Sequence, residues 1–194
     1  MEPNGTLFRG FMSYKAPTTS TTDFGVLKVG SGLSVTDGTV NASLGLLNYG
    51  FFTDGTQTNP VANTVNIATL NNTGPSNGIS IVGGTEITVD NPGTYTKMFT
   101  AIVSKTSGGT SSASFWLRLD GVDIPGSRQD LELINTLALI FVSGNYTLDM
   151  AAGSNIQLCW SSADTTVVLS ALPAAVTPTR PTGDSLKITM TRIS

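Results

Sequence analysis

Hydrophobic and polar residues alternate along most of this chain, in short segments that are separated by turn residues. The clearest case is the segment 86–103. In it, Ile87 and Val89 alternate with polar residues until Asn91-Pro92-Gly93 interrupts with turn chemistry. The segment therefore predicts two strands joined by a turn. On the second strand the apolar residues Tyr95, Phe99, Ala101 and Val103 share one face.

The opposite face of that second strand is mixed, because Thr96 and Thr100 are interleaved with Met98 and Ile102. A strand with apolar residues on both faces has to be covered on both. A second sheet can cover one face, and another copy of the chain can cover the other.

The whole chain shows about ten such segments at the spacing of a β-sandwich, which predicts an all-β antiparallel fold. The one ambiguous segment is 131–150, whose apolar run also fits a helix. We expect two strands there, Gln129–Ile134 and Ala138–Val142, because β-branched and aromatic residues close the run. The composition of residues 71–78 predicts a loop.

Composition removes several classes of function. Only 12% of the residues are charged, the net charge is −3, and no basic cluster is present, so nucleic acid is not an expected partner. Histidine is absent, which excludes histidine-dependent nucleophiles and most zinc sites. The single Cys159 is expected to be a buried structural thiol. Neither a signal peptide nor a membrane-spanning run is visible, so we expect synthesis in the cytoplasm and no membrane insertion.

The first 45 residues differ from the rest of the chain. Residues 1–24 carry aromatic residues among Gly, Ser and Thr, which indicates an anchoring arm that orders on a partner; a disordered tail is the alternative. Residues 25–45 contain a hairpin signal at Asp37-Gly38 and resemble the shaft repeats of trimeric viral and phage fibres, with a flexible linker as the alternative. The predicted anchors of the arm are Phe8, Phe11, Tyr14 and Phe24.

Residues 46–194 carry three motifs in a characteristic order. Pro-Gly-Thr-Tyr occupies 92–95, Ala-Gly-Ser-Asn-Ile-Gln-Leu occupies 152–158, and Ser-Leu-Lys-Ile-Thr-Met-Thr-Arg-Ile occupies 185–193. This order resembles the C1q/TNF-like trimeric jelly rolls, although Asn155 stands where that family usually has Asp. The resemblance implies an antiparallel jelly-roll head, a homotrimer, and a head carried on the arm and the short stalk.

A trimer would bury apolar residues of both the stalk and the head. One hairpin cannot bury its own apolar face, whereas three copies around an axis can. The predicted interface residues are Leu33, Val35, Val40, Met98, Ile102, Ile188 and Met190. Polar residues of long connections are candidates for receptor-facing loops, because binding residues gather in loops. They are Asn71, Asn72, Thr73, Asn77, Ser107, Thr110 and Ser111.

We expect no catalytic residue, no metal and no cofactor. Two carboxylates at a defined separation are what a glycosidase requires, but the sequence gives no reason to pair any two of Glu86, Asp90, Glu132 and Asp149. Trp116 and Trp160 are expected to pack in the core or in a subunit interface rather than to stack on sugars.

Three functions remain open at this point. The leading hypothesis is a homotrimeric virion surface protein, a fibre, spike or capsid-decoration protein. Its arm docks on other virion proteins, and its head faces outward, where a host-surface glycan or protein is a candidate partner. The second is a soluble C1q/TNF-like binding module outside a virus. The third is a carbohydrate-active enzyme on a β-sandwich.

Overall fold

A computed structural model divides the chain into two units, Met1–Gly45 and Leu46–Ser194. It describes residues 47–134 and 139–194 in full and the backbone of residues 33–36 and 39–42. Every regular element in these residues is a β-strand, which confirms the prediction of an all-β fold. In the same residues, no helix has the length and apolar character needed to cross a membrane.

Seventeen strands are described, and many are short. In chain order they are β1 (Leu33–Thr36), β2 (Thr39–Ala42), β3 (Tyr49–Asp54), β4 (Asn66–Ile67), β5 (Asn72–Asn77), β6 (Ile79–Val82), β7 (Glu86–Val89), β8 (Gly93–Lys105), β9 (Ser111–Leu119), β10 (Val122–Asp123), β11 (Gln129–Leu133), β12 (Ile140–Met150), β13 (Asn155–Ser162), β14 (Val167–Leu169), β15 (Ala175–Val176), β16 (Thr179–Arg180) and β17 (Leu186–Arg192).

In the first unit, the backbones of β1 and β2 form an antiparallel hairpin in which Thr36 lies opposite Thr39. This pairing agrees with the two-residue turn that Asp37-Gly38 predicts. The side chains of the predicted stalk-interface residues lie outside the described part of the chain. So do the four aromatic residues of the predicted arm, and both sets stay predictions.

The second unit consists of two antiparallel sheets and a small β15–β16 hairpin. In the first sheet the strand order is β12-β8-β17-β3-β5, and β14 also pairs with β8. In the second sheet the order is β10-β9-β13-β7-β6, and β11 and β4 pair with β9 and β13.

The pairing of the eight main strands is nested, which identifies the sandwich as a jelly roll. Taken in chain order, these strands are β3, β7, β8, β9, β11, β12, β13 and β17. The first pairs with the last, the second with the seventh, the third with the sixth and the fourth with the fifth. The chain therefore folds as a long double-stranded ribbon that rolls up into two sheets, and the predicted jelly-roll fold is confirmed.

The core lies between the inner faces of the two sheets. Tyr95, Phe99, Ala101 and Val103 of β8 point into it, as their alternation predicts. The largest buried side chain is Trp160 of β13, which stacks on Phe115 with ring centroids 6.0 Å apart. Burial of each such side chain stabilises the fold by about 1.5–3 kcal/mol. The core is therefore the main source of the stability of this unit.

Two predictions about local structure have different outcomes. The segment around 131–150 forms strands as predicted, β11 and then β12, although β12 runs without interruption from Ile140 to Met150. The predicted loop at 71–78 is wrong, because most of it forms β5 at the edge of the first sheet. An edge strand tolerates Gly74 and Pro75, since only one side of its backbone needs partners, and the register shifts between Gly50 and Phe52 of β3.

Candidate functional site

The outer face of the first sheet is unusually poor in charge. Residues that lie opposite one another on paired antiparallel strands share a face, so the register identifies the outward positions of β12, β8, β17 and β3. Of these positions only Asp149 and Lys187 are charged, and Thr is the commonest residue. The large apolar residues that are exposed on this face or at its margin include Tyr49, Phe51, Met98, Phe141 and Ile193.

The register brings several of these apolar residues close together. Met98 and Phe51 both lie next to Thr189, one on each side of it, so they are two strand spacings, or about 10 Å, apart. Tyr49 precedes Phe51 on the same face of β3. Met98 is 51% exposed and Phe141 is 64% exposed, although both belong to long central or paired strands. We call this surface, formed by the outward residues of β12, β8, β17 and β3, the apolar face.

The predicted head-interface residues fall in three different environments. Met98 is exposed on the apolar face. Ile102 points the same way but is only 6% exposed. Its backbone pairs within the sheet, since its N–H donates to Ser185 O at 2.8 Å and its carbonyl accepts from Ser170 N at 2.8 Å. Ile188 and Met190 point inward and are 1% and 0% exposed in the core of a single chain. The structure therefore brings Met98 to the apolar face and holds Ile188 and Met190 inside the sandwich.

Sequence reasoning missed Tyr49, Phe51, Phe141 and Ile193. The available signal was the aromatic cluster 49–52, where Tyr49 and Phe51 share the face opposite Phe52. The interface itself stays a prediction.

The candidate receptor-facing residues lie at both ends of the sandwich. One end of the sandwich is the end at which β8 finishes. Six of the candidates lie there: Asn71, Asn72, Thr73, Ser107, Thr110 and Ser111. Asn77 lies at the opposite end. Four of them take part in regular strands, since Asn72, Thr73 and Asn77 belong to β5 and Ser111 begins β9.

Several of these polar side chains have structural partners. Asn71 Nδ2 donates to Asp54 Oδ1 at 2.9 Å, and Asn71 Oδ1 accepts from Gly55 N at 3.1 Å. Asn77 Nδ2 donates to Leu47 O at 3.2 Å. Ser111 bonds to the ion pair of buried Lys105 and half-buried Asp164. The exposed side chains of Thr73, Ser107 and Thr110 are left as the more available part of the set.

Two lysines, Lys97 and Lys105, lie on the inner face of β8, where we did not expect charged residues. Lys105 is paired with Asp164, and this pair and the hydrogen bonds from Ser111 and Thr166 hold the pKa of the Asp164 carboxyl well below its usual range. Lys97 is 0% exposed and its Nζ has no hydrogen-bond partner in the described residues. Burial lowers the pKa of Lys97 to about 7, and the electrostatic interaction with Cys159 acts in the opposite direction.

The outer face of the second sheet differs from the apolar face in that it carries charges and a groove. The groove has a volume of about 540 Å³ and lies between the outer side of β9 and β13 and the β10–β11 connection. Its lining residues are Ser114, Trp116, Asp123, Ile124, Pro125, Gly126, Arg128 and Ser161. Trp160 is in the core as expected. Trp116 lies outside the core and lines this groove, and its packing in a subunit interface stays a prediction. The alternation of β9 and β13 explains this position of Trp116, because Trp116 lies opposite Cys159 on the outward side of both strands.

Two ion pairs border this groove. Arg118 Nε donates to Asp123 Oδ1 at 2.8 Å, and Arg128 Nε donates to Asp130 Oδ1 at 2.8 Å. The hydrogen bond from Arg118 and, next, the approach of the Trp116 indole N–H hold the pKa of the Asp123 carboxyl below its usual value. That indole nitrogen is enclosed and does not meet full hydrogen-bond geometry with any described acceptor.

Three of the four acidic residues considered for glycoside hydrolysis, Glu86, Glu132 and Asp149, lie apart from one another. Glu86 and Glu132 lie on the second sheet, on β7 and β11, with β9 and β13 between those strands, so they are at least about 14 Å apart. Asp149 lies on the first sheet, where it accepts a hydrogen bond from Thr94 at 2.7 Å. Glycosidase carboxyl groups are about 5–9.5 Å apart, so Glu86, Glu132 and Asp149 do not form such a pair. In the described residues, no group of three or more acidic, Cys or His side chains could hold a metal ion.

Comparisons with known proteins give structural similarity only. No protein-family model matches the chain, and no curated protein matches its sequence. The TNF protein Eiger from S. frugiperda is similar in structure, with a TM-score of 0.49 and 12% identity over 76% of this chain and 93% of that one. The globular domain of the zebrafish complement 1qA protein is also similar, with a TM-score of 0.45 and 13% identity over 74% of this chain and 93% of that one. The assignment of the jelly roll rests on the nested strand pairing described above.

Proposed function

We propose that this protein is a homotrimeric virion surface protein whose head assembles through the apolar face. The observation that carries the self-association is the contrast between the two outer faces. One face has Tyr49, Phe51, Met98 and Phe141 exposed among threonines, and the other has charged residues. Contiguous exposed apolar surface on a soluble protein marks an interaction site. Closed symmetry is the usual outcome when one chain supplies all the copies.

The threonine-rich background supports this use of the face. A threonine side chain is β-branched, which suits a strand, and it carries no charge that would have to be removed from water. Burying a lone Lys or Asp at an interface costs far more than burying a hydroxyl that finds a partner. The two charged residues of the face, Lys187 and Asp149, are the exceptions, and Asp149 already accepts a hydrogen bond from Thr94. An obligate interface of this kind buries on the order of 2,000 Å² or more.

The virion part of the proposal is supported by the sequence of the first 45 residues. Residues 1–24, with Phe8, Phe11, Tyr14 and Phe24, form an anchoring arm that docks on other virion proteins, and residues 25–45 form a short trimeric stalk. The protein is made in the host cytoplasm and resides on the virion surface. It is a structural and attachment protein, not an enzyme. The separation of Glu86, Glu132 and Asp149 supports this assignment.

The oligomeric state is tested by light scattering of the full chain and of charge variants. We expect the wild type to have three times the mass of one chain at micromolar concentration. The double variant Phe51→Glu with Met98→Glu should be a folded monomer, because it places two carboxylates in the interface of every copy. The matched control is Val122→Glu, which makes the same change at an exposed residue of β10 in the second sheet. A wild-type monomer, or a double variant that stays trimeric, would refute the proposed assembly.

The virion location is tested separately, by electron microscopy of the parent particle labelled with an antibody against this chain. Labelling of the particle surface, and its loss when residues 1–24 are deleted, is the expected result. A trimer that never labels a particle would support the alternative function, a soluble C1q/TNF-like binding module outside a virus.

A further inference from the structure

We propose that the groove on the second sheet is a binding subsite for a neutral saccharide, with Trp116 as its platform. The inference rests on the proposed attachment role for its biological sense, and it names the chemistry that the head recognises. Its physical argument comes from the groove alone and does not depend on the trimer.

The groove is pre-formed, because its wall is held by buried hydrogen bonds. Ser127 is 2% exposed and sits in the connection that forms the wall. Its hydroxyl accepts from Leu117 N at 3.0 Å and donates to Ile124 O at 2.7 Å, and its carbonyl accepts from the Tyr146 hydroxyl at 2.9 Å. A ligand therefore does not have to order this connection when it binds, which removes one cost of association.

The indole ring of Trp116 forms part of the floor of the groove. The side chain lines the groove and is partly exposed, while its Nε1 atom is enclosed. The accessible surface of the indole is therefore apolar. The C–H face of a pyranose ring is a flat apolar surface of similar width, and stacking it on an aromatic ring removes both from water.

The rim of the groove offers both donors and acceptors. Asp123 and Arg128 line it, and each uses one atom in its own ion pair, with Arg118 and with Asp130. The other guanidinium nitrogens and carboxylate oxygens remain for a ligand. A sugar hydroxyl donates and accepts at once, so it can bind to both kinds of group. Ser161 adds a hydroxyl of the same kind on the floor, and Ser114, whose hydroxyl donates to Asp130 Oδ1 at 2.6 Å, adds an acceptor.

The charges favour a neutral ligand over an anionic one. The two arginines and two aspartates of the rim sum to zero, and Glu132 on the same outer face is acidic, so the groove has no excess positive charge that would attract a phosphate, sulfate or sialic acid. The volume of about 540 Å³ is within the range of small-molecule sites and suits one or two sugar rings.

The position of the groove also suits attachment. It lies on the opposite outer face from the proposed assembly surface, so three copies would stay accessible in a trimer. Three weak sites on one particle-bound head give an avidity that exceeds the single-site affinity by about 10²–10⁴-fold when the ligands are dense.

The test is saturation-transfer NMR of the full chain with glucose, galactose, mannose, N-acetylglucosamine and N-acetylgalactosamine, and with sialyllactose as the anionic probe. We expect transfer to the ring protons of at least one neutral sugar. Trp116→Ala should weaken that binding about tenfold or more, and Trp116→Phe should retain part of it. Arg128→Gln should also weaken binding, whereas Arg180→Gln, the same change at an exposed residue outside the groove, should not.

Absence of transfer to every neutral sugar would overturn the inference, as would transfer that neither Trp116→Ala nor Arg128→Gln reduces. Binding of sialyllactose alone would overturn the choice of a neutral ligand. Light scattering of the same samples separates this inference from the proposed function. A trimer that binds no sugar contradicts only the groove, and a monomer that binds sugar through Trp116 contradicts only the assembly.

Discussion

Replacing Lys97 by methionine should make the protein more stable at neutral pH, which is the reverse of what a core substitution usually does. Lys97 lies on the inner face of β8, between Tyr146 of β12 and Met190 of β17 in the register. It is 0% exposed and its Nζ finds no hydrogen-bond acceptor in the described residues. Methionine keeps an unbranched apolar stem of similar length and removes the ammonium group, so the site should stay filled.

The magnitude follows from the change in the pKa of Lys97. Burial lowers it from 10.5 to about 7, and this difference corresponds to a cost of about 5 kcal/mol for the protonated form. Below pH 7 both the folded and the unfolded states bind the proton, and the folded state bears the full cost. Between pH 7 and 10.5 the unfolded state binds more protons, so the free energy of unfolding rises with pH. Above pH 10.5 the cost is gone.

The assay is urea unfolding of the wild type and of Lys97→Met at a series of pH values from 6 to 9, at one protein concentration. Relaxation and water entry reduce the full cost, so we expect Lys97→Met to gain about 2–4 kcal/mol at pH 6–7, or about 1–2 M in the urea midpoint. The difference between the two proteins should shrink as the pH rises. Arg180→Met is the control, because it removes a cation from an exposed residue of the β15–β16 hairpin, which belongs to neither sheet of the sandwich.

Cys159 changes the free energy of unfolding with pH in the opposite direction to Lys97. Burial raises the pKa of the Cys159 thiol, so the unfolded state releases that proton first and stability falls above about pH 9. The comparison of two proteins that both contain Cys159 removes most of this contribution. A wild type whose stability does not rise from pH 7 to 9, or a Lys97→Met protein that is less stable at pH 6, would refute the reasoning.

Two further predictions concern the polar networks at the end of the sandwich where β8 finishes. Asp54→Ala should lower the free energy of unfolding by about 2–4 kcal/mol in urea titrations, because Thr56, Thr69 and Asn71 all donate to this carboxylate. Asp184→Ala is the control, and an unchanged urea midpoint for Asp54→Ala would contradict the stabilising role of Asp54. Asp164→Asn should lower the melting temperature at pH 7 and reduce the further loss between pH 4 and 2. The reason is that the depressed pKa of Asp164 gives stability that is present above pH 4 and disappears in acid. Equal acid sensitivity in the two proteins would contradict it.

The strands of this fold could be predicted because alternation is a local signal. On β8 the apolar residues at 95, 99, 101 and 103 fix the inner face without any knowledge of the partner strands. Tight turns are equally local. Asp120 and Gly121 both have positive φ, 48° and 80°, which is the conformation that an Asp-Gly pair adopts in a two-residue hairpin turn.

Other features could not be predicted because they depend on partners that are distant in the chain. Lys97 and Lys105 continue the inward alternation of β8, but a lysine in a sequence reads as exposed. Lys105 is compensated by Asp164, which is 59 residues away. The strand β5 was missed for a similar reason, because its composition is that of a loop and only pairing with β3 makes it a strand.

The candidate surfaces show the same division between local and distant information. Alternation places Met98 and Trp116 on the faces of their strands opposite the core residues. Whether each is then covered or open depends on the sheet it belongs to and on the connections that cross it. Ile102 and Met98 share a face of β8, yet Ile102 is 6% exposed and Met98 is 51% exposed.

The low charge of the chain has a physical explanation when the two outer faces are considered one at a time. Charged residues on exposed strands keep a sheet solvated and discourage association at its surface. In this head the outward charges are concentrated on the second sheet, where Glu86, Arg118, Asp123, Asp130 and Glu132 lie, and the first sheet has almost none. A sheet that stays in water in the assembled protein needs such charges, and one that is covered by other copies is destabilised by them. The distribution of charge thus supports a head that assembles through one sheet and presents the other, with its groove, to a ligand.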